Sequence, residues 1–194
     1  MRYILASGSP RRRELLSKVI PEYEVIPAVS EESCSATEPS EIVEELSFQK
    51  ASEIFYKVFT DKALPVVVIG ADTVVSYNHR VLGKPAGSQE AFEMVKMLQG
   101  RTHSVFTGVT LFFVDNNETK HVTFSECTKV HVSAMTDEEI QEYADSGEPL
   151  DKAGAYGIQG QFGKYITGID GDYYNVVGLP VARLYQELKA NHLL

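Results

Sequence analysis

The sequence predicts an α/β fold, because strand-like and helix-like segments alternate along it. Three observations carry this reading. Val66-Val67-Val68-Ile69 is a continuous apolar run, the pattern of a strand buried on both faces. Segments with apolar residues at helical spacing stand on either side of it, opened by Ser or Ser-Pro. Two β-rich stretches, 103–114 and 120–133, flank Asp115-Asn116-Asn117, which is a hairpin signal.

The elements follow in order. Tyr3-Ile4-Leu5-Ala6 is a short apolar strand. Ser9-Pro10 reads as N-cap and first helical position of a helix reaching about Val19. Ser40 is expected to cap a second helix running to about Phe59, with Val43, Leu46, Ile54 and Val58 on its apolar stripe. The central strand continues from Ile69 through Ala71-Asp72-Thr73-Val74-Val75. A turn at Asn78-His79 leads into a short strand at Val81-Leu82. Ser88 opens a third helix that Gly100 ends. After the hairpin, Thr136 and Glu139 form a capping box for a short helix stopping at Gly147. Segment 147–178 holds eight of the fourteen glycines, and long Gly-rich stretches inside a domain are usually functional loops. The last helix begins at Pro180 and runs to about Ala190.

Composition narrows the function classes. A chain of 194 residues is about one domain and can bury roughly 70% of its unfolded surface, so it needs no staples. Cys34 and Cys127 form neither a C-x-x-C pair nor a zinc spacing, so they read as reduced thiols of a cytosolic protein. No apolar run approaches the ~18 residues of a membrane span, and the apolar start before Ser7 is too short for a signal peptide. The formal net charge of −9 disfavours a nucleic-acid polymer as partner. A small anionic substrate remains open, because a few local cations outweigh a distant negative field. There is no internal repeat, heptad run or low-complexity tract.

Five places carry chemistry. Ser7-Gly8-Ser9-Pro10-Arg11-Arg12-Arg13 joins a strand end to a helix start with arginines. Helix N-termini favour anions, and the arginine fork matches phosphate oxygens. A solvated basic turn is the plain alternative. Neither a Walker loop nor a dinucleotide fingerprint occurs. Asp72 interrupts an apolar strand, where a carboxylate costs several kcal/mol unless it is paired or bound to metal. It shares a strand face with Gly70, which leaves room beside it for a ligand. A strand-end aspartate capping a turn is the alternative.

Lys50 sits between Leu46 and Ile54 on a helical stripe, as a functional or a snorkelling lysine. Lys84 leaves a strand end between Gly83 and Pro85, and is otherwise an ordinary loop lysine. Asp151 to Gly160 offers a carboxylate, a cation, closely spaced glycines and the Gln159 amide, or else a tight turn array. Glu31 and Glu32 form a weaker pair, and adjacent glutamates are usually solvated surface. The five histidines show no metal spacing, and His103 reads as structural. Carboxylates, lysines, arginines and a Gly-rich wall suit metal-assisted attack of water on a polyphosphate.

In chain order the motifs are Ala6-Ser7-Gly8-Ser9-Pro10-Arg11-Arg12 with Glu14-Leu15-Leu16, Lys50-Ala51, Gly70-Ala71-Asp72-Thr73 and Leu82-Gly83-Lys84-Pro85. They continue as His103-Ser104-Val105 with Thr107-Gly108-Val109, Asp151-Lys152-Ala153-Gly154-Ala155-Tyr156-Gly157-Ile158-Gln159-Gly160, and Val176-Val177-Gly178-Leu179-Pro180. Together, in this order, they resemble the Maf family, also called septum formation proteins, over nearly the whole chain.

The resemblance implies a single domain, 1–194, with a long mixed twisted sheet, flanking helices and two lobes around a central cleft, similar to inosine triphosphate pyrophosphatases. It implies cleavage of a nucleoside triphosphate to monophosphate and pyrophosphate with a divalent cation, Mg²⁺, Mn²⁺ or Co²⁺. The family's acid-base aspartate falls on Asp72, and its nucleotide contacts on Ser7, Arg11, Arg12, Glu31, Lys50, Lys84 and Asp151. Glu31 and Asp72 are the expected metal ligands, although Pro27-Ala28-Val29-Ser30-Glu31 lacks the acidic neighbours the family often has.

Arg11, Thr73 and Gln159 resemble the branch that prefers dTTP and UTP, and an amide can offer a donor and an acceptor to a pyrimidine edge. The expected role is house-cleaning of the nucleotide pool in the cytoplasm by a homodimer; the family name also links it to arrest of cell division. Two other readings stand beside it. One is a pyrophosphatase for 7-methyl-GTP or other modified purines, and the other a non-catalytic, nucleotide-sensing regulator of division.

Overall fold

The computed structural model describes residues 1–59 and 65–194. Along the chain these form β1 (Arg2–Leu5), α1 (Pro10–Leu16), β2 (Glu24–Val25), α2 (Pro39–Val58), β3 (Val66–Tyr77), β4 (Arg80–Leu82) and α3 (Ser88–Leu98). There follow β5 (Thr102–Asp115), β6 (Glu118–Val132), α4 (Asp137–Asp145), β7 (Ile166–Asp170), α5 (Tyr173–Val177) and α6 (Val181–Ala190). Short 3-10 turns cover Glu148–Asp151, Ala153–Ala155 and Gln161–Tyr165. The strands make a mixed sheet in the order β2-β1-β3-β5-β6-β7, with β4 beside β3. β1 is parallel to β2 and β3, whereas β3–β4 and β6–β7 are antiparallel. This is the α/β class that the alternating pattern predicts, with the mixed sheet and flanking helices that the resemblance implies.

Most helix signals work as read. Ser9 Oγ accepts from Arg12 N at 3.5 Å with Pro10 in the first turn. Thr136 Oγ1 accepts from Glu139 N at 3.3 Å, and Glu139 Oε2 accepts from Thr136 N at 2.8 Å, closing the capping box. Two hairpin turns carry paired left-handed residues, Asn78 and His79 at φ 48° and 60°, and Asn116 and Asn117 at φ 51° and 63°. Such pairs match the twist of the strands they join.

Some boundaries differ from the reading. α1 stops at Leu16, short of Val19, and the chain tightens through Val19 N to Leu16 O at 2.9 Å. Pro21 lies just beyond, and the residue before a proline is pushed out of the helical region. α2 starts at Pro39 with Glu38 at the cap position, so Ser40 is inside the first turn. Proline is pre-organised for a first helical position and outranks serine here. Gly87, not Ser88, caps α3. The short strands β2 and β7 and helix α5 have no counterpart in the reading, because a two-residue strand and a Gly-rich strand carry little local signal.

The chain divides into two compact units. The first comprises Met1–Asp72, Thr107–Glu126 and Gly178–Leu194. Its core includes Ile4, Ile54, Phe55, Val66, Val68 and Phe112. Here α2 lies directly on two glycines. A Cβ on Gly70 would stand 2.4 Å from Ser47 O, and one on Gly108 would stand 2.2 Å from Val43 O. Only a residue without a side chain lets the helix backbone come so close. Beside this contact the buried Ser47 Oγ bonds to Glu44 O at 3.0 Å and to Thr110 Oγ1 at 2.9 Å, which meets Thr123 Oγ1 at 2.9 Å.

The second unit comprises Thr73–Phe106 and Cys127–Val177. Its core gathers Val75, Val95, Val105, Val130, Ile140 and Phe162. The rings of Tyr143, Tyr156 and Tyr165 pack around Phe162 at centroid distances of 5.1, 4.8 and 5.7 Å.

Candidate active site

In the first unit, the close seat of α2 on Gly70 has a direct chemical result. Lys50 follows Ser47 by one turn, and Asp72 follows Gly70 on the same strand face. Lys50 Nζ therefore reaches Asp72 Oδ1 at 2.5 Å. Both side chains are largely withdrawn from water, at 16% and 13% exposure. The carboxylate that interrupts the apolar strand is thus paired, as its burial requires. The room beside Gly70 is taken by the backbone of α2, not left for a ligand.

Lys50 Nζ also meets Glu32 Oε1 at 3.0 Å. Glu31 was the expected member of the acidic pair, and it is exposed on the same loop. Glu32 is the residue that the reading undervalued. The sequence carries no signal that separates the two, since adjacent glutamates on one loop look alike.

The loop after β1 supplies the arginines. Ser7 is buried, and its Oγ accepts from Ser9 N at 3.3 Å and from an Arg12 terminal nitrogen, Nη1, at 3.2 Å. Arg12 Nε donates to Gly178 O at 2.9 Å. Desolvation lowers the Arg12 pKa; Asp72 and Glu32 raise it, and Arg11 lowers it. Ser7, Arg11, Arg12, Glu32, Lys50 and Asp72 thus belong to one electrostatic neighbourhood in the first unit.

In the second unit, Thr73 is half-buried and Lys84 is exposed. Gly154 N donates to Gly83 O at 2.9 Å, which ties the 151–160 segment to the backbone beside Lys84. Gly154 has φ +66°, and a Cβ there would lie 2.8 Å from Val75. Asp151 is exposed and pairs with Lys152 Nζ at 2.6 Å, while Lys152 also donates to Glu148 O at 2.7 Å. Gln159 is exposed, next to a turn held by Gly160 N to Gly157 O at 3.1 Å and by Gln161 N to Glu148 Oε2 at 3.0 Å. His103 Nε2 meets Tyr156 OH at 2.7 Å, so this histidine is structural, as read.

Among the described residues no group of three or more His, Cys, Asp or Glu side chains could hold an ion. Two carboxylates, Asp72 and Glu32, do converge on one point at Lys50. The Lys50 ammonium occupies that point; a Mg²⁺ ion asks for only one or two protein carboxylates and takes the rest of its shell from water and substrate phosphates. No helix among the described residues is long and apolar enough to cross a membrane.

Cations and carboxylates so arranged suit the chemistry of phosphate anhydrides. The chain belongs to the Maf family: the family model, described as Maf-like protein, matches residues 2–191. It is 52% identical over 195 residues to the dTTP/UTP pyrophosphatase of Agathobacter rectalis, covering 96% of this chain and 95% of that one. It is 49% identical over 189 residues to the dTTP/UTP pyrophosphatase of Carboxydothermus hydrogenoformans, covering 97% and 98%. A solved nucleoside-triphosphatase, or dITP/XTP pyrophosphatase, from Mycobacterium abscessus aligns with a TM-score of 0.41 at 14% identity, over 70% of this chain and 76% of that one.

Proposed function

We propose that the protein is a nucleoside triphosphate pyrophosphatase that hydrolyses dTTP and UTP, with modified pyrimidine analogues, to the monophosphate and pyrophosphate. The observation that carries the reading is the Lys50–Asp72 pair at 2.5 Å, a largely buried carboxylate held by a lysine. Relatives about half identical over nearly the whole chain support the same activity.

The residues divide the work. Asp72 accepts a proton from the attacking water. The water oxygen joins phosphorus, the bridge between the α and β phosphates breaks, and pyrophosphate leaves. Lys50 is placed to exchange its carboxylate partners for a phosphate oxygen. Arg11 and Arg12 add positive charge where the phosphoryl oxygens gain negative charge, and Lys84 is a substrate-binding residue by the family resemblance. A divalent cation would be held by Asp72 with Glu32 or Glu31 and would neutralise the triphosphate. Ser7 fixes the Arg12 guanidinium. Asp151 belongs to the substrate-binding set, and Arg11, Thr73 and Gln159 to base choice. We place the enzyme in the cytoplasm, as a homodimer, the commonest soluble assembly. Its role there is to clear unwanted triphosphates before they are incorporated.

The test is pyrophosphate release with Mg²⁺, Mn²⁺ or Co²⁺ across dTTP, UTP, CTP, 7-methyl-GTP and ITP, for wild type and Asp72→Asn. Turnover of dTTP and UTP that falls at least about 10²-fold in the variant is expected. Turnover centred on 7-methyl-GTP would keep the chemistry and overturn the pyrimidine assignment. Tight triphosphate binding with no turnover would replace the enzyme by a nucleotide sensor.

A further inference from the structure

Three side chains of α2, one helical turn apart, grip the loop that carries Glu32. Glu53 accepts from Val29 N at 3.0 Å and Ser30 N at 3.2 Å. Gln49 accepts from Ser33 N at 3.3 Å and donates to Ser33 O. Glu45 accepts from the Cys34 thiol, Ser35 N and Ala36 N, each at 3.3 Å. Residues four apart share one helix face, so the loop runs antiparallel to α2 along a single row of polar side chains.

The loop has little apolar anchoring among the described residues. Val29 through Ser35 are all exposed, so burial of apolar surface does not fix their position. A cavity of about 520 Å³ opens between loop and helix, lined in part by Ser30, Glu32, Lys50 and Tyr56. The N–H groups of Val29 and Ser30 hold the Glu53 carboxyl below its ordinary range, as expected of an acceptor in steady use. Between the Gln49 and Glu53 contacts, Glu32 is delivered to Lys50 at 3.0 Å.

We propose that Glu45, Gln49 and Glu53 are positioning residues that set the register of the 29–36 loop and thereby present Glu32 to Lys50. The proposal deepens the pyrophosphatase reading and rests on it. The competing view is that the three side chains solvate a loop whose position has no bearing on the chemistry.

A double-mutant cycle separates the two. The variants are Gln49→Ala/Glu53→Ala, Glu32→Gln and the combination of all three, assayed by pyrophosphate release from dTTP. The paired variant is expected to lower kcat/KM roughly 10-fold, as partners that orient a reacting group commonly do. It should change Tm little, because the segment it releases, Val29 through Ser35, is exposed and adds little to the core. In the Glu32→Gln background the same pair should cost nothing further. A second loss of equal size there overturns the proposal, as does no loss in the wild-type background. A loss of activity that follows a fall in Tm in both backgrounds overturns it too. Full activity of Glu32→Gln with collapse of Asp72→Asn overturns the proposal alone. Absence of pyrophosphate release from the wild-type protein overturns the pyrophosphatase reading instead. As a direct probe of the loop, alkylation of Cys34 by iodoacetamide in a Cys127→Ser background should speed up in the paired variant. An unchanged rate would show that Gln49 and Glu53 do not hold the loop.

Discussion

Arg12 Nε donates to the carbonyl oxygen of Gly178 at 2.9 Å, joining the first loop of the chain to the last motif across 166 residues of sequence. The same guanidinium donates to Ser7 Oγ at 3.2 Å. Arg12 is therefore part of the frame of the first unit as well as a source of charge. Arg12→Lys keeps the charge but cannot donate in two directions from one plane. The expected loss of stability is about 1–3 kcal/mol, the cost of leaving a buried acceptor without its charged donor. Urea unfolding of the two proteins measures it, and an unchanged midpoint would show that the contact bears no weight.

Gly70→Ala tests the seat of α2. The new Cβ would stand 2.4 Å from Ser47 O and 2.7 Å from Ala51 N, and both are backbone atoms. The helix must shift outward, a change that typically costs 1–3 kcal/mol (order of magnitude). Because Lys50 rides on that helix, dTTP turnover should fall more than stability alone explains at a temperature where the variant is fully folded. Retention of wild-type turnover would break the link drawn between Gly70 and the Lys50–Asp72 pair.

His103 gives a pH dependence of stability. Burial, with a smaller contribution from His131, pushes its pKa down to about 4. An unfolded histidine titrates near 6.5. Above that pH both states are neutral and the residue adds no slope. As pH falls from about 6.5 to about 4, the unfolded chain takes up a proton that the folded chain refuses. Stability then drops by up to about 1.4 kcal/mol per pH unit from this group. Urea midpoints at pH 7 and pH 5 for wild type and His103→Gln should show a smaller acid-induced decrease in the variant, although its stability at pH 7 is lower through loss of the Tyr156 bond.

Gln159→Ala addresses base choice. The side chain is exposed, so Tm should be unaffected. If the amide reads a pyrimidine edge, kcat/KM for dTTP and UTP should fall roughly tenfold or more, since an unpaired polar group costs about 1–3 kcal/mol. Poorer substrates that lack that edge should change less. An equal fall for every triphosphate would assign Gln159 to general binding.

Much of this was legible because it is local. Ser9-Pro10, Thr136 with Glu139, and the Asn78-His79 and Asn116-Asn117 turns each declare themselves within four residues. Asp72 was legible for another reason: a carboxylate amid valines needs a partner, and Lys50 is that partner. Gly70 was misread because a missing Cβ looks the same whether a ligand or a helix fills the space. Glu31 and Glu32 were indistinguishable because the choice between them is made by the row of side chains on α2, contacts that span up to 24 residues. β2 and β7 were missed because pairing with β1 and β6 defines them, not their own residues.

The hydroxyl row beneath α2 has a direction. Ser47 has one proton, and it goes to Glu44 O at 3.0 Å. In the arrangement that places the Ser47 proton on Glu44 O, Ser47 accepts at its 2.9 Å contact with Thr110, and the Thr110 proton is spent. At the next 2.9 Å contact Thr110 can only accept, and Thr123 donates. Three rotors that would turn freely in water are locked into a one-way relay leading from β6 through β5 into the helix. Hydrogen bonds are directional, so this row adds a constraint along the axis to the close backbone seat of α2 on Gly70 and Gly108. Ser47 stands one turn before Lys50, so the row adds directional bonds to the part of α2 from which Lys50 meets Asp72.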